Sequence, residues 1–172
     1  MLGVLLFSGC ASTAPKADFT QGGMALSTHV AANDQIKASV VTAADVSLLD
    51  IEKTRIAQRI EERVRAKKIR NTAGAENKNY EVEVTLTRYE KGSAFARAML
   101  AGLGQIHVDG NVRLYELPAH KKVGDFLIKK TFAWGGIYGA TVSMEDIEAT
   151  FADGVAAALT GQEEDAEKEK KK

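Results

Sequence analysis

Between Tyr80 and Thr87 every second residue is apolar: Tyr80, Val82, Val84 and Leu86 fall on one side of an extended chain, and Glu81, Glu83, Thr85 and Thr87 on the other. Successive side chains of a strand point to opposite faces, so this segment belongs in a sheet with one face buried and one face wet. The same rhythm returns at Ile106, Val108, Gly110, Val112 and Leu114, alternating with His107, Asp109, Asn111, Arg113 and Tyr115. A sheet with a single apolar face needs a second layer to cover it.

The cover is legible. Ile51 to Arg70 carries Ile56, Ala57, Ile60 and Val64 at three- and four-residue spacing, the stripe of an amphipathic helix, with Asp50 placed as its N-cap. Its basic end, Arg63, Arg65, Lys67, Lys68 and Arg70, suits the negative pole of a helix dipole and reads as a solvated face, the alternative being a patch for lipid headgroups or a partner. A second helix opens at Ser143 with Asp146 three residues on, repeats Ile147, Phe151, Val155 and Leu159, and ends at Gly161.

The β-branched run from Ile36 to Leu49 reads as a further strand, partly buried on both faces. Leu117 to Lys122, with Pro118, turns the chain, and Val123 to Ala133 returns as a fourth strand in a hairpin. The small-residue stretch from Gly92 to Gly104 reads as a short helix packed on the sheet, with Arg97 its only charge. The order strand, helix, strand, short helix, hairpin, helix predicts an α+β fold: a two-layer α/β sandwich of about four mostly antiparallel strands with helices packed on one face.

The only cysteine, Cys10, closes the apolar run Met1-Leu2-Gly3-Val4-Leu5-Leu6-Phe7-Ser8-Gly9 and precedes small and polar residues. That pattern is similar to a bacterial lipobox, which makes Cys10 the expected site of lipid attachment. Nothing basic precedes it, whereas a secretory signal opens with positive charge, so Met1 is read as an internal residue of the signal with the true start upstream. The apolar run is too short to span a bilayer. The expected organisation is a lipoprotein signal remnant and lipobox over 1–10, a flexible linker over 11–33, a single α/β domain over 34–161 and a charged disordered tail over 162–172. In the lipoproteins that Cys10 resembles, an aspartate after the cysteine favours the inner membrane. Ala11 stands there, so the expected location is the outer membrane, lipid-anchored, on the periplasmic side.

Chemistry is harder to find. The 23 basic side chains balance 23 acidic ones, which leaves no electrostatic footprint for nucleic acid. His29, His107 and His120 show no metal-ligand spacing, Gly102-Leu103-Gly104 lacks the third glycine of a dinucleotide fingerprint, and Gly135-Gly136 lacks the Lys and Ser or Thr of a phosphate loop. The sequence therefore points to no metal and no cofactor. His107 and Asp109 share one strand face, with Glu81 and Glu83 expected to lie opposite, an arrangement that would suit a hydrolase. Cross-strand charge pairing on a solvated face is the preferred explanation of it.

The alternating strand at Tyr80, then Gly92-Ser93 and Arg97 leading into Gly102-Leu103-Gly104, a hairpin, a double-glycine loop and a closing helix to Leu159, resembles a set of bacterial lipoproteins grouped as a domain of unknown function, the one numbered 4410. The resemblance implies a fold and a location in the cell envelope, and no activity. Three expectations follow. The first is a membrane-tethered binding or assembly module that contacts an envelope protein, with Arg97, Trp134 and Tyr138 as candidate interaction residues, since loop aromatics often anchor interfaces. The second is an envelope hydrolase using the His107 and Asp109 face, and the third an oligomer built through the 92–104 helix.

Overall fold

The computed structural model describes residues 29–93, 104–132 and 142–162. Within them the chain runs β1 (Gln35–Thr42), α1 (Asp50–Lys68), β2 (Asn79–Glu90), β3 (Ile106–Leu117), β4 (Lys121–Phe132) and α2 (Met144–Thr160). The strands make one sheet in the order β1-β2-β3-β4, with β1 parallel to β2 and the later pairings antiparallel. This is the expected α+β sandwich, and α1 is the crossover that a parallel pair requires. The short helix expected between Gly92 and Gly104 lies, from 94 to 103, outside the described residues.

The two alternating segments set the sheet's faces. Val82, Val84, Leu86, Val108, Val112, Leu114, Phe126 and Ile128 are buried on the inner face, against Ile56, Ile60 and Val64 of α1 and Phe151, Val155 and Leu159 of α2. Gly110 sits mid-strand on that face for a packing reason. A Cβ there would stand 3.0 Å from Phe151 Cζ and 3.3 Å from Leu86 Cδ2, so the missing side chain is what lets Phe151 lie against the sheet.

Helix ends follow local chemistry. Asp146 N donates to Ser143 Oγ (3.2 Å) while Ser143 N donates to the Asp146 carboxylate (2.9 Å), a reciprocal cap that holds the Asp146 carboxyl below its usual range. Gly161 closes α2 in the left-handed region at φ 68°. At α1 the N-cap is Leu49 and not Asp50. The Glu52 carboxylate accepts from Leu49 N (3.0 Å), which lowers the Glu52 pKa, and Asp50 is the first helical residue.

Two further expectations are corrected. β1 stops at Thr42: Ala43 N still donates to Leu86 O (2.9 Å), but Val46 N then turns back to Ala43 O (3.0 Å). Val46 and Leu48 reach the core from a loop, which apolar spacing alone does not distinguish from a strand. The basic end of α1 is only partly solvated. Lys67 is 2% exposed and pairs with Asp153 of α2 at 2.9 Å, and Lys68 Nζ donates to the buried Asp34 carbonyl. A buried ammonium needs such a partner, because desolvating it alone costs several kcal/mol.

Candidate functional site

The outer face of the sheet carries the polar half of each alternating strand, and its charges pair across strands. Arg113 Nη1 meets Glu83 at 2.7 Å, and the Glu83 carboxylate raises the Arg113 pKa. His120, held at φ 50° in the β3–β4 turn, stacks on Tyr115 with ring centroids 4.3 Å apart and places Nε2 3.3 Å from Glu81. Glu81 and Glu83 are therefore spent at one end of the face.

His107 and Asp109 lie at the other end, so the expected cluster with Glu81 and Glu83 does not form. Register decides this: Glu81 faces Tyr115 and Glu83 faces Arg113, whereas Glu90 faces His107 and Arg88 faces Asp109. His107 Nδ1 lies 2.9 Å from Thr131 Oγ1, and its Nε2 lies 4.0 Å from Glu90. Although it is on the outer face, His107 is buried, and burial together with the Arg88 charge depresses its pKa. Burial pushes the Asp109 carboxyl up, and its Oδ1 is inaccessible without a hydrogen-bond partner. A neutral imidazole is thus the favoured form, next to a carboxyl that ionises reluctantly.

A β-bulge explains how the same strand serves both faces. β2 advances from Leu86 to Arg88 while β3 advances only from Gly110 to Asp109, so one β2 residue is extra. Unbroken alternation would aim Arg88 into the core. The bulge turns Arg88 and Glu90 outward and Tyr89 inward, where its hydroxyl donates to Glu148 of α2 (2.6 Å). Glu148 is fully buried and also accepts from Arg55 Nε (2.8 Å), Arg55 Nη2 (2.7 Å) and Arg59 Nη1 (3.2 Å). Burial and the Glu148 carboxylate raise the Tyr89 pKa, and Glu148 raises that of Arg55. The cluster ties α1, α2 and β2 together. The sequence reading missed it; its one signal was Glu148, a charge flanked by the apolar stripe residues Ile147 and Phe151.

Among the described residues β1 is an edge strand, and its outer edge is the third polar feature. Ala38 N donates to Glu61 Oε1 of α1 (2.8 Å), so this amide points away from β2. In a parallel pair, alternate residues turn both main-chain groups the same way, so Ile36, Val40 and Thr42 also face outward. A groove of about 360 Å³ runs along this edge, lined by Ala38, Val40, Thr54, Ala57, Gln58 and Glu61. Ile51, one turn before Thr54, is 72% exposed, and Leu49 and Val41 are also exposed.

Cys10, Arg97, Trp134 and Tyr138 lie outside the described residues. Among the described residues, no three His, Cys, Asp or Glu side chains are placed to hold a metal ion. No helix among them is long and apolar enough to cross a membrane.

The model of a family described as a domain of unknown function, DUF4410, matches residues 23–136. The chain belongs to the DUF4410 family. The match takes in β1 and α1 and ends before α2, so it starts well before the Tyr80 to Leu159 stretch on which the resemblance was drawn. Two solved structures similar to this DUF4410 chain are PelC dodecamers from Paraburkholderia phytofirmans. One covers 87% of this chain and 96% of its own at 11% identity, with a TM-score of 0.51. The other, a single-residue variant, covers 78% and 95% at 11% identity, with a TM-score of 0.50. At that identity the likeness shows a shared fold. No curated protein matches the chain in sequence.

Proposed function

We propose that this DUF4410 chain is a lipid-anchored module of the cell envelope that works by protein contact, assembling with copies of itself through the open edge of its sheet. The observation that carries the reading is the β1 edge, with outward main-chain groups, a groove beside it and exposed Val41, Leu49 and Ile51 around it. Unpaired strand edges are templates for strand addition, and exposed apolar side chains around one give an interface its dry centre. PelC, which shares the fold, is a dodecamer, and this supports self-assembly as the mode of contact. Glu61, lying over the Ala38 amide, would have to swing aside for a strand to add. Arg97, Trp134 and Tyr138 are the proposed further contact residues.

The anchor is the acylated Cys10, and Ala11 after it favours the outer membrane with the domain on the periplasmic side. Tether and assembly are tested separately. Mass spectrometry of the mature N-terminus from bacterial membranes should find an acylated Cys10, and an intact Met1 there would overturn the anchor. Light scattering on the full chain carrying Cys10→Ser should find a multimer that dissociates on Ile51→Glu. A monomeric parent chain would refute assembly, and a multimer indifferent to both Ile51→Glu and Val40→Pro would refute the edge as its site.

A further inference from the structure

The C-terminal ends of α1 and α2 converge with the chain entering β1, and between them lies an open cavity of about 370 Å³ lined by His29, Ala31, Arg70, Asn71, Thr72 and Thr160. Asn71 builds the walls. Its Nδ2 donates to Val30 O (2.7 Å) and Thr160 O (3.0 Å), and its Oδ1 accepts from Gln162 Nε2 (2.6 Å), so its own polar groups are spent. Val30 N donates to Leu159 O (2.9 Å), fixing the entering chain to α2. His29 is seated by the same contact. A Cβ on Gly161 would stand 2.7 Å from His29 Cε1, so the imidazole rests where only a glycine leaves room.

The donors around the cavity differ from the basic residues just before them. Lys67 and Lys68 are turned inward onto Asp153 and the Asp34 carbonyl, where they also answer the negative pole of α1. Among the described residues, the side chains of His29, Arg70 and Thr72 have neither ion pair nor hydrogen bond, and no carboxylate lines the cavity. A guanidinium, an imidazole and a hydroxyl around an open polar pocket form a donor set for a phosphate-type anion.

Position selects the source of that anion. His29 is nineteen residues after Cys10. If the stretch behaves as the linker expected from the sequence, a tether of that length would have a root-mean-square span of about 25 Å, close to the diameter of a small domain. The pole where the tether enters is therefore the one held near the headgroups. We propose, resting on the lipid-anchor reading, that this pocket takes the phosphate of an anionic phospholipid headgroup, with Arg70 as its principal ligand and His29 and Thr72 as further donors.

The test uses the full chain with Cys10→Ser, so that no acyl group contributes, sedimented with vesicles of equimolar phosphatidylglycerol and phosphatidylcholine or of phosphatidylcholine alone. Binding is expected to the anionic vesicles only. Arg70→Gln should weaken it roughly tenfold, the worth of a charge-assisted hydrogen bond, and Arg65→Gln on the exposed flank of α1 by less. Arg70 is exposed, and unchanged thermal melting of Arg70→Gln confirms that folding is not the cause. No binding to anionic vesicles, or equal losses from Arg70→Gln and Arg65→Gln, would overturn the pocket. Binding of inorganic phosphate, read by chemical-shift changes at His29, without vesicle binding would overturn the lipid source. An acylated Cys10 in native membranes together with failed vesicle binding sinks this inference alone. An unmodified Cys10 with intact vesicle binding sinks the anchor alone.

Discussion

Replacing Glu148 with alanine tests the account of the fold most directly. Its carboxylate is inaccessible and accepts from Arg55 Nε and Nη2, Arg59 Nη1 and Tyr89 Oη at 2.6–3.2 Å. Removing one partner of a buried ion pair costs about 3–5 kcal/mol, because the remaining groups lose their compensation. Here the arginine side chains are 31% and 27% exposed and regain water, so the expected loss lies at the lower end, about 3 kcal/mol. For a domain of this size that lowers the melting temperature by roughly 10 °C. Tyr89→Phe removes one hydrogen bond to a charged acceptor and should cost about 1.5 kcal/mol. The two substitutions share a bond, so in urea unfolding the double variant should fall short of additivity by about 1 kcal/mol. A melting temperature that drops by less than about 3 °C on Glu148→Ala, or strict additivity with Tyr89→Phe, would refute the cluster as the tie between the layers.

Other expectations follow from the same kind of reasoning. Gly161→Ala places a Cβ at a left-handed residue and against the His29 ring, so a loss of about 1–2 kcal/mol is expected, partly restored when His29→Ala is added. Ser143→Ala removes the α2 cap and should cost about 1 kcal/mol in denaturant unfolding. The His107 pKa is depressed by burial and Arg88, so below its ordinary value of 6.5 the unfolded chain binds more protons than the folded one. His107 therefore makes stability fall as pH drops through 6.5, and His107→Asn should flatten that part of the pH profile. Asp109 acts in the opposite sense: its pKa is raised, so ionising it above its ordinary value of 3.8 disfavours the folded state. Asp109→Asn should raise stability at neutral pH, and a lower melting temperature there would show that Arg88, Lys129 and the Lys130 amide outweigh burial at this carboxyl.

Sequence periodicity alone reached the architecture. Tyr80 to Leu86 and Ile106 to Leu114 could lie only in a half-buried sheet, Ile56, Ile60 and Val64 only on a helix face, and Ser143 with Asp146 only at a helix start. These are local statements, and local sterics and hydrogen bonding enforce them. What escaped was every feature that depends on which strands meet and where the register shifts. The antiparallel register of β2 on β3 separated His107 and Asp109 from Glu81 and Glu83, and the bulge after Leu86 sent Tyr89 inward to a glutamate 59 positions away. Lys67 and Lys68 looked like solvated charges because nothing in α1 announces Asp153 or the Asp34 carbonyl. His29 and Arg70 are 41 residues apart and share a pocket only because both helices end at one pole. By itself the sequence determined the two layers, the apolar face of each element and the candidate tether at Cys10. Only the tertiary structure decided which polar groups are spent on one another and which stay open, because that depends on contacts between residues the chain keeps far apart.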